Sequence, residues 1–281
     1  MRVKERFRLN PTPGLHPEIT WRHVDTIDST NATLLATDTP LPYLLSTDYQ
    51  TQGRGQRGRV WSNPEKSLMF SLAFALPITA EKLALWQLVV ALTLVEQFSQ
   101  TVDTQAFRIK WPNDIYVNGS VNRHQLPSHP LQSHQLLGEP LSQKTAAQWG
   151  KCAGILVENQ LGFRNKVVTG IGINLAPVAL SDTRYASGYV DIGCDKYIWL
   201  VQLVNSLYAA WQRFCEAPYL DVAAYAHYDL LAGKMISAVD SKTNQTVAGV
   251  CLGVDAQGAL HLSNETGIQV LTAAHQIQWE E

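Results

Sequence analysis

Residues Gly53 to Trp61 read Gly-Arg-Gly-Gln-Arg-Gly-Arg-Val-Trp, which puts three glycines and three arginines into nine positions. Glycine lets the main chain come close to a ligand with no Cβ in the way, and arginine presents a planar fork of donors suited to phosphate or carboxylate oxygens. Together they make an anion-binding loop, with Arg54, Arg57 and Arg59 as its donors. The spacing of Gly53, Gly55 and Gly58 also matches G-x-G-x-x-G, the dinucleotide fingerprint, which needs a strand before it and a helix opening on its last glycine. That helix is not expected, because Pro64 soon follows and favours turning or extended chain.

Three further segments put polar residues where an apolar strand would not want them. Lys110-Trp111-Pro112-Asn113-Asp114 sets an ammonium, an amide and a carboxylate around a proline turn between two apolar runs, aiming them into a common space. Lys151 heads the apolar strand Cys152 to Val157, a costly position for a cation unless an anion stands opposite. Asn174 ends the run Thr169-Gly170-Ile171-Gly172-Ile173, whose glycines leave room for a ligand or another backbone.

The elements that must position these groups are legible in outline. Asp28-Ser29-Thr30-Asn31 supplies a Ser or Thr cap for a short helix over Ala32 to Ala36. Tyr43 to Ser46 reads as a strand entering the glycine-arginine loop, and Ser67 to Leu76 as a buried strand leaving it. From Thr79 to Phe98 apolar residues recur at helical spacing. Strands are expected at Phe107 to Lys110, Ile115 to Val117, Cys152 to Glu158 and Val167 to Asn174. A helix should run from Asp195 to Phe214, and a second from about Tyr219 to a glycine C-cap at Gly233. Beyond Lys234 short apolar runs at Met235 to Val239, Thr246 to Leu252, Leu260 to Leu262 and Gln269 to Leu271 alternate with turn signals, predicting a small β-barrel or sandwich. The expected organisation is a loose lead-in over 1–20, a main domain over 21–232 and a β-domain over 233–281. Residues 120–150, rich in Gln, His, Ser, Leu and Pro without a period, read as a flexible insertion. Its His124, His129 and His134 do not share one face of a helix or strand, so a metal site is not expected there.

Composition narrows the function classes. Of 281 residues, 46% are hydrophobic and 16% charged, a globular balance, and no long apolar run is free of polar interruption, so no membrane span is expected. The N-terminal stretch mixes Arg2, Lys4, Arg6 and Arg8 with prolines and lacks the apolar segment of a secretory signal. Cys152, Cys194, Cys215 and Cys251 are scattered with no C-x-x-C pair, which fits a reducing cytoplasm. A net charge of −2 gives no general attraction for nucleic acid, and the first twenty residues are too few for a helix-turn-helix domain, so DNA is not expected as a partner.

Taken in order, Asp28-Ser29-Thr30-Asn31, Gly53 to Trp61, Lys110 to Asp114, Lys151-Cys152-Ala153-Gly154-Ile155-Leu156-Val157-Glu158 and Gly170 to Asn174 resemble the biotin protein ligases, which attach biotin to biotin carboxyl carrier proteins. With the C-terminal β-domain the resemblance covers most of the chain. It implies an α+β fold of class II synthetase-like type, a mixed seven-stranded sheet with flanking helices followed by an SH3-like barrel. It also implies the ligase-only form without an N-terminal DNA-binding domain, as a monomer or homodimer. In the family reaction biotin carboxylate attacks the α-phosphate of ATP, pyrophosphate leaves, and a lysine of the carboxylase carrier domain then displaces AMP from biotinyl-5′-AMP.

By family position, Arg54, Lys110, Asp114 and Lys151 carry the chemistry. Ser29, Thr30, Gln50, Gly53, Arg54, Gly55, Lys151 and Gly154 face biotin, while Arg57, Arg59, Trp61, Asn113, Asp114 and Asn174 face the adenylate. The resemblance implies Mg²⁺ accompanying ATP and no resident metal, and it makes Gly53 to Trp61 a cover that excludes water from the mixed anhydride. Two departures stand out: Gln56 occupies a position where several members carry Arg, and residues 120–150 replace a short connection. The nearest rival is a lipoate or octanoate ligase, whose arginine-serine-glycine loop followed by His-Asp is not what Gly53 to Trp61 resembles. A non-catalytic binding module, RNA-binding through the barrel, is opposed by the acidic balance.

Overall fold

The structure, a computed structural model, describes residues 13–58, 61, 66–77, 79, 82–102, 105–118, 149–161, 165–177 and 187–279. Arg59 and residues 119–148, with His124, His129 and His134, lie outside the described residues. Seven strands form the first sheet: β1 (Thr20–Ile27), β2 (Tyr43–Gln50), β3 (Ser67–Ala75), β4 (Ala106–Lys110), β5 (Asp114–Asn118), β6 (Trp149–Gln160) and β7 (Lys166–Asn174). Their order is β1-β2-β3-β7-β6-β5-β4, with β1 parallel to β2 and the other neighbours antiparallel, so the sheet is mixed as expected. β1 went unread in the sequence because Thr20-Trp21-Arg22-His23 alternates weakly. Just ahead of it, Leu15 and Ile19 are buried and His16 donates its N–H to Asn205, so this part of the lead-in is packed down.

Two long helices, α2 (Leu83–Thr101) and α3 (Lys196–Glu216), cover one face of this sheet. α2 is apolar almost all round because it lies between α3 and the strands, and Trp86, Val90, Leu94 and Phe98 are fully buried. Phe74 of β3 stacks on Trp211 at 5.0 Å, and Trp86 meets the same ring edge-on at 4.8 Å, which anchors the layer with aromatic area. On the other face α1 (Thr30–Ala36) lies over β2, β3, β7 and β6, packing around Val24, Leu34, Leu45, Ala73 and Val168. The rest of that face is left for the site.

The second sheet is antiparallel, with order β11-β10-β9-β8-β12: β8 (Met235–Asp240), β9 (Thr246–Val254), β10 (Leu260–Asn264), β11 (Gly267–Leu271) and β12 (Ala274–Trp279). β12 was not among the expected strands. The helix before it, α4 (Val222–Tyr228), ends at Asp229 rather than at Gly233; Gly233, with φ 76°, instead turns the chain into β8. The segment after α4 is tied to the first sheet, since Leu230 N–H donates to Ile109 O at 2.9 Å, and Asp229 Oδ1 accepts from Leu231 N–H within it. Burial pushes the Asp229 carboxyl above the usual carboxylate range, and its Oδ2 has no hydrogen-bond partner among the described residues. Above its folded pKa the charged form therefore works against folding, and below the ordinary carboxylate pKa it does not. Asp229→Asn is expected to raise the thermal midpoint by a few degrees at pH 7, with the gain vanishing near pH 3 in a melting series.

Candidate functional site

Residues directly opposite on neighbouring strands share a face of a sheet. One such row runs Asp114, Gly154, Gly172, Met69, and the next runs Leu156, Gly170, Ser71, Leu45. Three glycines, Gly154, Gly172 and Gly170, lie side by side in two adjacent rows and leave a floor with no Cβ over β6 and β7 at those positions. A cavity of about 220 Å³ stands on it, lined by Ser29, Thr30, Gln50, Arg54, Gly55, Arg57, Trp61, Lys110, Asn113, Asp114, Lys151 and Gly154 among others. Residues drawn from motifs far apart in sequence therefore converge on one space.

A β-bulge brings Lys151 there. Ile115 pairs with Ala153 and Tyr116 with Lys151, so one step along β5 is matched by two along β6. The extra residue sends Cys152 into the core, fully buried, and leaves Lys151 on the same face as Gly154. Lys151 Nζ donates to Asp114 Oδ1 at 2.6 Å, in a pair still partly open to solvent. Asn113 is tied to β6 in both directions, Nδ2 donating to Ile155 O at 3.0 Å and its own carbonyl accepting from Ile155 N–H at 2.9 Å.

At the other end of the cavity the side chains are neutral and hydrogen-bonded. Ser29 caps α1, its Oγ accepting from Ala32 N–H. Gln50 Oε1 accepts from both the N–H and the hydroxyl of Thr30, at 2.8 and 3.2 Å. Ser71 Oγ lies 2.7 Å from Thr30 Oγ1 and 2.5 Å from Asn31 Oδ1, and Asn31 Nδ2 donates to Leu156 O and Glu158 Oε2. This amide and hydroxyl wall suits a small neutral polar group buried with its donors and acceptors matched.

Trp61 lies on the glycine floor. A Cβ at Gly172 would stand 2.5 Å from the indole, and one at Gly154 2.8 Å from it, so only glycine at both positions admits the ring. Trp61 N–H donates to Gly53 O at 3.0 Å and closes the base of the loop, which is the part Gly53 plays; Gly53 itself does not line the cavity. The indole Nε1–H is buried without a partner among the described residues, and Lys151 Nζ sits 5.7 Å from the ring centroid.

The field in the cavity is positive. Arg54, Arg57, Lys110 and Lys151 line it against a single carboxylate, Asp114, among the described residues. Lys110 is buried to 7% exposure, with Nζ 4.6 Å from the Trp279 ring and 5.9 Å from that of Tyr116. Trp279 belongs to β12, and Ala274 to Ile277 of that strand form part of the cavity wall. Arg57, in the left-handed region at φ 56°, reaches Ser241 Oγ of the second sheet, and Trp111 Nε1 donates to Gly258 O at 3.1 Å. Nothing in the sequence linked β12 to the loop, because the two lie some two hundred residues apart.

Asn174 departs from its expected place. Its Nδ2 donates to Lys151 O and Gly188 O, at 3.3 and 3.1 Å, so it steadies the backbone behind Lys151 instead of lining the cavity. Away from the cavity, His23, Asp25 and Asp48 bring three ligand atoms within 4.8 Å of one another. Lys196 Nζ donates to Asp48 at 2.7 Å, so that carboxylate already has a cationic partner, and burial holds the His23 imidazole below its ordinary pKa.

Residues 24–174, more than half of the chain, match the model of the Biotin/lipoate A/B protein ligase family. The chain belongs to that family. Among curated relatives it is 27% identical over 232 residues to the bifunctional ligase/repressor BirA of Escherichia coli, an alignment covering 78% of this chain and 60% of that protein. It thus spans about three fifths of the length of that relative. It is 28% identical to the biotin–[acetyl-CoA-carboxylase] ligase of Paracoccus denitrificans, covering 88% of this chain and 95% of the relative. In fold it resembles the biotin protein ligase of Aquifex aeolicus, solved in complex with biotin and ATP, with a TM-score of 0.70 at 20% identity over 94% of this chain and 99% of that one. The Biotin/lipoate A/B protein ligase assignment covers every strand of the first sheet from β2 to β7 and the whole glycine floor.

Proposed function

We propose that this protein is an ATP-dependent biotin–protein ligase that joins biotin to a lysine of a carboxylase carrier domain through biotinyl-5′-AMP. The observation that carries the reading is the pairing of a neutral amide-hydroxyl wall, Thr30 and Gln50, with a cationic end built from Arg54, Lys110 and Lys151 across one glycine floor. The neutral end fits a cyclic urea and the cationic end fits phosphates. The names of the relatives as biotin ligases support the same substrate pair.

In the first step the biotin carboxylate oxygen bonds to the α-phosphorus of ATP as the bond to the pyrophosphate oxygen breaks. Two anions must approach, so fixed cations have to offset their repulsion and the charge building on the phosphoryl oxygens. Arg54, Lys110 and Lys151 do this, and Arg57, Arg59 and Trp61 hold the adenylate side, with Asn113 beside them. Mg²⁺ would accompany ATP through its phosphate oxygens and would supply further positive charge there. Among the described residues the one carboxylate lining the cavity, Asp114, already pairs with Lys151, so those residues build no cage for a resident cation.

In the second step the acceptor lysine nitrogen bonds to the acyl carbon and AMP leaves with the anhydride oxygen. When Lys151 turns from Asp114 to a phosphate oxygen, Asp114 becomes available to take the proton that the attacking ammonium must lose. We assign the catalytic domain to residues 21–232 and the second domain to 233–281, and the cytoplasm as compartment, which four free cysteines support. Biotin-dependent exchange of labelled pyrophosphate into ATP is the test, with lipoate and octanoate as controls. Exchange with biotin alone is expected; exchange with lipoate alone, or with no acid, would overturn the reading.

A further inference from the structure

Gln87 is a polar residue on the buried stripe of α2, only 8% exposed, and neither step above uses it. Its Nε2 donates to Pro112 O at 3.3 Å, and its Oε1 accepts from Gln56 Nε2 at 3.1 Å. A carboxamide has one donor end and one acceptor end. Pro112 offers Gln87 a carbonyl, which can only accept, so the NH₂ must face the turn and the oxygen must face the loop. Position 56 must therefore present a donor. The same turn is held from its other side by Trp111 Nε1 on Gly258 O, so it has little freedom to follow the loop if the tether breaks.

We infer that Gln87 is a positioning residue whose carboxamide ties the glycine-arginine loop, through Gln56, to the fixed Lys110–Asp114 turn, so that the loop is held down over the site. This rests on the reading of the site as one that forms and holds an acyl-adenylate. The departure at Gln56 then has a physical sense. A neutral amide at 56 is a donor that fits a neutral carboxamide acceptor, and an arginine there would be a donor too, whereas a glutamate would set acceptor against acceptor.

The test measures release of biotinyl-5′-AMP from preformed complex, in chains whose melting midpoints are first shown to match the wild type. Gln87→Leu and Gln56→Ala should each speed release about fivefold, the value of roughly one hydrogen bond. The double variant should release no faster than Gln87→Leu alone; multiplied effects would overturn the coupling. Should Gln87→Leu fail to fold, the loop variants decide: Gln56→Glu should speed release and Gln56→Arg should not, and equal effects would sink the inference. Trypsin cleavage after Arg54 and Arg57 in the resting protein reads loop attachment without any reaction and should quicken in Gln87→Leu and Gln56→Glu. If the wild type forms no adenylate from biotin, the functional reading falls and this inference with it; if it forms adenylate and the coupling is absent, only the inference falls.

Discussion

Lys151→Ala is expected to lower biotin-dependent pyrophosphate exchange by about 10²- to 10³-fold while leaving the fold intact. The magnitude is that of removing one preorganised group from the place where transition-state charge develops. The fold should survive because the Lys151–Asp114 pair is partly open to water, with side chains 32% and 20% exposed, and such pairs stabilise by under about 1 kcal/mol. Circular dichroism and a melting curve settle that half. The kinetic half has an internal control: Asp114→Asn keeps the cation and should cost far less in exchange than in transfer to a carrier domain, if Asp114 serves the second step. Exchange by Lys151→Ala within tenfold of the wild type would remove Lys151 from the chemistry. Equal losses of exchange and transfer in Asp114→Asn would remove Asp114 from the role of base.

The second large effect is expected from a single methyl group. In Gly170→Ala the new Cβ would stand 2.2 Å from Asn31 Oδ1 and 2.8 Å from its Cγ, so the buried amide must leave its place. Asn31 is 3% exposed and is held by hydrogen bonds with Ser71, Leu156 O and Glu158. Losing these costs about 1 kcal/mol each, about 3 kcal/mol in all. Ser71 also touches Thr30, which holds Gln50, so the wall facing the urea should loosen and KM for biotin should rise at least about tenfold, an effect on the order of 1.4 kcal/mol. The cause can be checked by removing the obstacle: Gly170→Ala with Asn31→Ala should be no less stable than Asn31→Ala alone. A wild-type melting midpoint for Gly170→Ala would show that the amide has somewhere else to go.

Much of the site was legible because its parts break local rules. Lys151 at the head of an apolar strand, and glycines at 170 and 172 inside another, announce a ligand through what a plain strand would not tolerate. What stayed hidden is of a different kind. Read with period two, β6 would put Cys152 in the cavity and Lys151 in the core; the bulge that reverses this depends on pairing with β5, which no local pattern records. Asn31 reads only as part of the Asp28-Ser29-Thr30-Asn31 motif in the sequence, and its part in the wall appears only once β7 brings Gly170 beneath it. Gln87 carries no signal in the helical spacing of α2, because its partners Gln56 and Pro112 are brought to it only by the fold. The contribution of β12 is a fact of tertiary contact alone, since Ala274 to Trp279 carries no spacing that points to the loop. The bonds of the Asn174 amide to Lys151 O and Gly188 O were hidden for a related reason, because the segment around Gly188 has no pattern of its own.

The wall supplied by β12 also bears on the order in which the site comes into being. Ser29, Gln50, the glycine floor and Lys151 all leave the ribosome well before Ala274 to Trp279. Until that last strand is made, Lys110 lacks the Trp279 ring over its ammonium, and one side of the cavity stands open to water. A water-sensitive anhydride should therefore be kept only by a chain whose translation has passed β12, so that incomplete chains bind the small acid without holding its activated form.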